Sequence, residues 1–483
     1  MEEKNEVVRG IWTEIFGEEN AKNEDNFFDL GGDSIMALKM SELLKRKGYT
    51  ISLMDVFDDP TLGGVLAAVR PLEENVGNST LSEEQIKTYP ATVQQKWFFK
   101  KIKKDRDQWC EYVILSPKKK ESSSPEKIME YLFEKSLFRN NAMFTENRGL
   151  FFKMTNEMPS LINIGEEKLD ESVGERIARE NISLKDARTC CMAYNSAGDM
   201  IIIIHHLFSD AVTVKNIICA VDQLDINADM TGSLYSLYAW EQYSDIEDIS
   251  EDLGYLEEKT DTEYESAECI DKTEAEIYDK LVEASREWGV TVESILLVIL
   301  GEVQSYIPGT SRIELERIGR DASGKWDDTC GWLSYSAALD LADISEGNDR
   351  EKSLAVSKFL SSLSLKKNGL NGSEPDSSLS FNYIGNIDVS ISFENYIAKA
   401  FGQFSGKNSG RFAPIYFAVY FENGKLVCRI NYDAAICSEE QISVLQSEYL
   451  KRIVAFADNY NNRKADELNS ILEVMGDFDI EDN

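Results

Sequence analysis

The only two histidines in a chain of 483 residues stand side by side, His205 and His206, at the end of the run Ile201-Ile202-Ile203-Ile204-His205-His206-Leu207-Phe208-Ser209-Asp210. Four consecutive isoleucines predict a buried strand. The histidines fall at its terminus, and an acid follows four residues after the second one. Two chemistries fit that spacing. One is proton transfer by an imidazole held at a strand end with a carboxylate nearby. The other is a satisfied core imidazole beside an aspartate that caps the next helix. Spacing alone leaves both open.

Composition narrows the partners. The length allows two to four compact domains, and 42% hydrophobic residues can fill several cores. A formal net charge of −35 repels a phosphate backbone, which argues against nucleic acid. Eight cysteines include no CxxC pair, and with both histidines already placed together no His/Cys cluster remains for structural zinc. Reduced thiols suit a cytoplasmic protein. The longest apolar run, Ile295–Leu300, is too short to span a bilayer, and Met1-Glu2-Glu3-Lys4 does not open a secretion signal.

Along the chain, residues 1–72 read as a small helical unit: Val7, Val8, Ile11, Ile15 and Phe16 recur at helical spacing, and Thr61 is placed to cap a helix after Pro60. Residues 73–88 are polar and read as a linker. From residue 89 strands and helices mix. Strands are predicted at 111–115, 190–194, 200–204, 312–315, 378–383, 415–421 and 425–432, and helices at 211–224, 274–287, 292–305 and 438–457. Asn195-Ser196-Ala197-Gly198 predicts the turn of a hairpin that ends at the histidines. The acidic, aperiodic stretch 257–271 joins two lobes, expected at 89–262 and 263–464. No repeat of solenoid period is present.

In the first unit Ser34 follows two glycines and an aspartate and opens a helix. Glycines leave its hydroxyl uncrowded, and a helix N-terminus favours a phosphate there; plain capping by serine is the simpler alternative. The surrounding motif, Asn26-Phe27-Phe28-Asp29-Leu30-Gly31-Gly32-Asp33-Ser34-Ile35, resembles that of peptidyl carrier domains of nonribosomal peptide synthetases. The resemblance implies a four-helix fold and a 4′-phosphopantetheine arm on Ser34, attached by a phosphopantetheinyl transferase and carrying an aminoacyl or peptidyl thioester.

His205-His206-Leu207-Phe208-Ser209-Asp210 is then similar to the HHxxxD motif of the condensation-domain superfamily, whose members are α/β, two-lobed and chloramphenicol-acetyltransferase-like, with a tunnel between the lobes. Four further segments resemble epimerization domains in the family's order: Gln94-Gln95-Lys96-Trp97-Phe98-Phe99, Glu316-Arg317-Ile318-Gly319-Arg320-Asp321, Thr329-Cys330-Gly331-Trp332-Leu333-Ser334 and Ser380-Phe381-Asn382-Tyr383-Ile384-Gly385. The resemblance implies L-to-D epimerization at Cα of the tethered residue, without metal or redox cofactor. It assigns His206 and Glu316 as the proton-handling pair, and His205, Asp210, Arg320, Asn382 and Tyr383 as supporting residues, with Arg320 a partner for a nearby carboxylate. Trp332 reads as core filler. An upstream adenylation domain and a downstream condensation domain or synthetase subunit are the implied partners.

Several positions depart from the family pattern: Ile318 replaces a histidine, Ala211 a glycine, and Thr213-Val214 a Ser-Trp pair. They keep two alternatives open, a condensation domain that forms peptide bonds and a catalytically silent docking domain. Residues 465–483 are acidic, with Leu468, Ile471, Leu472 and Val474 at helical spacing, and read as either a docking helix or a solvated end.

Overall fold

The periodic apolar residues near the N-terminus form a helix, Glu2–Phe16, whose Val8, Ile11 and Trp12 pack inward against helices Ser34–Arg46 and Leu62–Ala68. Trp12 meets Phe27 edge-on at 5.8 Å. Thr61 caps the last of these helices, its hydroxyl accepting the Gly64 N–H, as the sequence predicts. Two short strands, β1 (Tyr49–Thr50) and β2 (Arg70–Pro71), close the unit. The computed structural model describes residues 2–476 except 18–20, 28–29, 31–33, 52–54, 57–59, 72–86, 120–123, 147–148, 225–234, 245–255, 257–264, 307–310, 318–319, 321–325, 345, 366–377, 387–390, 393–394 and 406–412. Most of the linker, Ile318, Gly31-Gly32-Asp33, the side chain of Ser34 and the last seven residues lie outside it. The expected fourth helix of the N-terminal unit is not described: between 52 and 59 only Asp55 and Val56 are.

Among the described residues fifteen strands follow. In the first half these are β3 (Thr88–Pro90), β4 (Cys110–Pro117), β5 (Asn141–Glu146), β6 (Gly149–Met154), β7 (Ser160–Asn163), β8 (Cys190–Tyr194) and β9 (Met200–His205). In the second half they are β10 (Ser266–Lys272), β11 (Arg312–Arg317), β12 (Tyr335–Asp340), β13 (Leu379–Asn386), β14 (Ile391–Ser392), β15 (Tyr396–Phe404), β16 (Ile415–Glu422) and β17 (Lys425–Asp433). They build two six-stranded sheets, ordered β14-β15-β4-β9-β8-β7 and β10-β17-β16-β13-β11-β12, and a small sheet β3-β6-β5.

The isoleucine run is β9, held between β4 and β8 in the first large sheet. Side chains alternate across a strand. Ile202 and Ile204 therefore enter the core beneath helices 93–101 and 211–223, while Ile201 and Ile203 face helix Glu171–Asn181. The Asn195 side chain accepts the N–H groups of Ala197 and Asp199, and Gly198 takes φ +87°, which closes the predicted hairpin turn. In the second sheet Ile313, Leu315, Phe381, Phe417 and Val419 pack against helices Tyr278–Trp288, Val292–Val303 and the long helix Glu439–Gly476.

Three expectations change. The stretch read as an aperiodic connection contains an edge strand, β10, antiparallel to β17; one exposed face and several charges hide its alternation. The lobes do not divide cleanly at 262/263, because β14 and β15 cross back and complete the first sheet beside β4. The predicted helix 438–457 runs on to Gly476, so the acidic tail continues an existing helix up to that residue.

Gly174 lets helix Glu171–Asn181 lie close to the first sheet: a Cβ there would come 2.6 Å from Ile201 Cδ1 and 2.8 Å from Phe404 Cζ. Gly174→Ala is expected to destabilise the protein by about 1–3 kcal/mol through overpacking, read as a lower urea midpoint with an unchanged slope.

Candidate active site

β9 ends at His205, and a single 3₁₀ turn, His206–Phe208, leads into helix Ala211–Gln223. The two rings do different things. His205 is fully buried; its Nε2–H donates to the Arg106 carbonyl at 2.8 Å and its Nδ1 accepts the Leu207 N–H at 3.1 Å. Both nitrogens are used, and burial holds its pKa down at about 3. His206 donates from Nδ1 to the Ser209 carbonyl at 3.0 Å. A carbonyl can only accept, so the Nδ1–H tautomer is fixed and Nε2 carries the lone pair. Burial drives its pKa down to about 4, so the ring is neutral near pH 7.

Aromatic rings fix the His206 plane. Trp332 lies 4.5 Å away on one side and Trp109 stacks at 6.3 Å on the other. Trp332 is thus both core and a neighbour of the His206 ring, where the sequence leaves both readings open and favours core. Gln95, from the first of the four motif segments, closes a capping box with Thr92 and donates its amide to the Leu207 carbonyl at 2.7 Å, which anchors the histidine turn.

Asp210 and Arg320 form a buried bidentate pair, 2.6 Å from Nη1 to Oδ2 and 3.1 Å from Nη2 to Oδ1. Asp210 also accepts the Thr213 N–H as helix cap and the Leu333 N–H. Arg320 donates to the Trp326 and Thr329 carbonyls. The pair therefore ties the histidine turn to the segment between β11 and β12. Thr213, one of the departures from the family pattern, accepts the Gly331 N–H at 2.9 Å and serves the same tie.

Glu316 lies on β11 of the second lobe. Ile313 and Leu315 face that lobe's core, so alternation turns Glu314 and Glu316 to the other face. Glu316 keeps an accessible side chain, yet loss of water and the nearby Asp210 charge push its pKa up to about 7, against a hydrogen bond from Ser334. Glu314 is buried on the same face, raised to about 7 by desolvation. Asn382 shares that face and donates to the Tyr416 hydroxyl at 2.9 Å. Tyr383 does not join the site. As the next residue on β13 it points the other way and packs edge-on to Phe421 in the second core.

Sequence reasoning missed Glu111, on β4 opposite Ile204. Its Oε1 lies 3.6 Å from His206 Nδ1, its Oε2 accepts the Ser209 hydroxyl, and burial pushes its pKa up to about 8. It belongs to none of the motif segments and becomes visible only through strand pairing.

Comparison with known proteins bears on the two units of the fold. The family model for the phosphopantetheine attachment site matches residues 6–69. The N-terminal unit is a phosphopantetheine-attachment domain. A 4′-phosphopantetheine is thus the expected covalent group, and Ser34, first residue of helix Ser34–Arg46, stands where a phosphate is favoured. Across 89% of its length the chain is 24% identical to surfactin synthase subunit 2 of Bacillus subtilis, of which it spans 13%. It is also 21% identical, across 92% of its length, to bacitracin synthase 2 of Bacillus licheniformis, of which it spans 19%. The large unit has the condensation–epimerization fold. It is similar to the epimerization domain of the third module of tyrocidine synthetase B (TM-score 0.55, 17% identity, 78% of this chain and 99% of that one). It is also similar to the condensation domain of the Monacolin K polyketide synthase MokA (TM-score 0.57, 11% identity, 79% and 99%). No helix among the described residues is long and apolar enough to cross a membrane.

The attachment domain touches the large unit directly. Val212 packs into the carrier core, and Lys45 pairs with Asp328.

Arg320→Met leaves Asp210 buried without its cation. The expected loss is about 3–5 kcal/mol in denaturant unfolding, with part of it recovered when Asp210 is also made apolar.

Proposed function

We propose that this chain is a carrier–epimerization didomain that interconverts the L and D forms of an aminoacyl or peptidyl group held as a thioester on Ser34. What supports the reading is that two unlike proton-handling groups come from different lobes and both lie near Asp210. His206 is neutral with its lone pair on Nε2, and Glu316 is accessible with a pKa near 7. Inversion at a carbon acid needs a base on one face and an acid on the other. The pantetheine thioester supplies the tether and makes the α-proton acidic. His206 Nε2 accepts or returns that proton on one side, and Glu316 does so on the other. The buried aromatic walls restrict water around His206. His205, Asp210 and Arg320 hold the geometry.

A phosphopantetheinyl transferase and neighbouring synthetase modules are the partners implied by the carrier; adenylation upstream and condensation downstream complete the proposed setting. Condensation remains the competing activity, because a condensation domain superposes as well as an epimerization domain does.

The test is to load Ser34 with L-aminoacyl and L-dipeptidyl pantetheine groups in heavy water and analyse the released acyl group by chiral chromatography and mass. The expected product is a D form carrying one deuterium at Cα, lost in His206→Ala and Glu316→Gln. Peptide-bond formation with an added acceptor-loaded carrier, and no exchange without it, would replace this reading by condensation.

The pH profile follows from the two groups. As pH falls through about 4 His206 gains a proton and stops accepting; as pH rises through about 7 Glu316 loses the proton it donates. The rate of exchange is expected to be bell-shaped between those values, with the upper limb removed in Glu316→Gln together with most of the rate.

A further inference from the structure

Glu111 is a largely buried carboxylate, its side chain 12% exposed, placed on the Nδ1 side of His206 at 3.6 Å. Ser209, itself fully buried, touches both groups: its carbonyl accepts the His206 Nδ1–H and its hydroxyl donates to Glu111. This leaves Nε2 on the far edge of the ring, with no hydrogen-bond partner among the described residues. An imidazole that gains a proton at Nε2 becomes positive over the whole ring. The nearest carboxyl group on the Nδ1 side is Glu111; Asp210, whose charge also acts on the ring, is engaged by Arg320, Thr213 and Leu333.

We propose that Glu111 is a positioning residue for His206, which orients the ring through Ser209 so that Nε2 is presented for proton uptake. The pairing itself needs only the geometry; that the proton comes from a thioester's α-carbon rests on the epimerization reading above. Glu111 transfers no proton to substrate. The Cα–H electron pair stays with the substrate and the proton moves to Nε2, while the Nδ1–H keeps its bond to the Ser209 carbonyl.

The other groups facing this pair are Asp210 at the start of helix Ala211–Gln223, Glu316 on β11, Arg320 beyond it, and His205 and Cys110 at the neighbouring strand positions. Asp210 and Glu316 oppose ionisation of Glu111 and Arg320 favours it. Two groups this close titrate as a pair, with steps that belong to both.

Because the chain holds only two histidines, ¹⁵N-histidine labelling of the full-length protein gives a spectrum that His206→Gln assigns at once. The Nε2 shift reports protonation of that nitrogen. In the native chain the His206 Nε2 signal is expected to move in two steps, a large one near about 4 as that nitrogen gains a proton and a smaller one near about 8 in response to ionisation of the neighbouring Glu111. In Glu111→Gln the upper step vanishes, while Glu111→Asp keeps it. An identical single step in the native chain and in Glu111→Gln overturns the proposal. This readout needs no substrate, so it stands or falls apart from the epimerization assay. Where that assay is active, Glu111→Gln lowers kcat by about 10- to 100-fold with KM unchanged, and Glu111→Asp recovers part of it. A folded Glu111→Gln with native kcat overturns the proposal.

Discussion

The ion pair between Asp210 and Arg320 is the constraint on which the site depends. It joins the end of β9 in one lobe to the segment after β11 in the other, and both carboxylate oxygens and four of the five guanidinium N–H groups are used. Apolar packing holds each lobe through its own core, but a boundary that must leave room for a substrate cannot be filled with side chains. A satisfied buried ion pair can fix position there without filling space. Its desolvation cost means that it adds little net stability, while removing one partner is expensive. That asymmetry suits a junction whose task is register.

The same junction sets the electrostatics. Glu111, Glu316 and Asp210 lie within reach of one another, and one guanidinium faces them. Asp210 takes that guanidinium for itself. Burial first, and then the charge of Asp210, push Glu111 and Glu316 toward neutral pH, to about 8 and about 7. His206, buried between tryptophans, moves the other way to about 4. Groups with ordinary values of 6.5 and 4.5 are thereby inverted in order, so that near neutrality the imidazole is the base and the carboxylic acids hold the protons. Environments that drive neighbouring groups apart in this way are how one pocket supplies an acid and a base at one pH.

Much of this was legible in the chain. The isoleucine run, the hairpin turn at Asn195, the Thr61 cap and most long strands follow from local periodicity and turn chemistry. His206, Asp210, Arg320 and Glu316 sit in short segments whose spacing is informative. What escaped the sequence is non-local. Glu111 matters because β4 pairs with β9 in one register, which no local pattern encodes. Tyr383 follows Asn382 in the motif, but the pleat sends the two to opposite faces of β13. β15 reads as part of the second half, yet its hydrogen bonds lie with β4, and β10 carries too many charges to show the alternation of an edge strand. Trp332 reads as core because the sequence cannot say that the core ends at a histidine.

The crossing of β14 and β15 and the placement of the attachment domain meet the same requirement from different directions. On the proposed reading a tethered group reaches a site between the lobes, which requires the lobes to be held at one spacing and the tether's origin near their boundary. β15 completes the sheet that carries His206, while β13 and β16, on either side of it in sequence, belong to the sheet that carries Glu316; the chain thus laces the two walls together. On the outside, Val212 enters the carrier core and Lys45 pairs with Asp328, beside the Trp326–Thr329 turn that receives Arg320. Val212 lies two residues beyond Asp210 on the helix that Asp210 caps. The element that receives the carrier is therefore the element that positions the histidine turn, and a displacement of one is felt at the other through a single helix end.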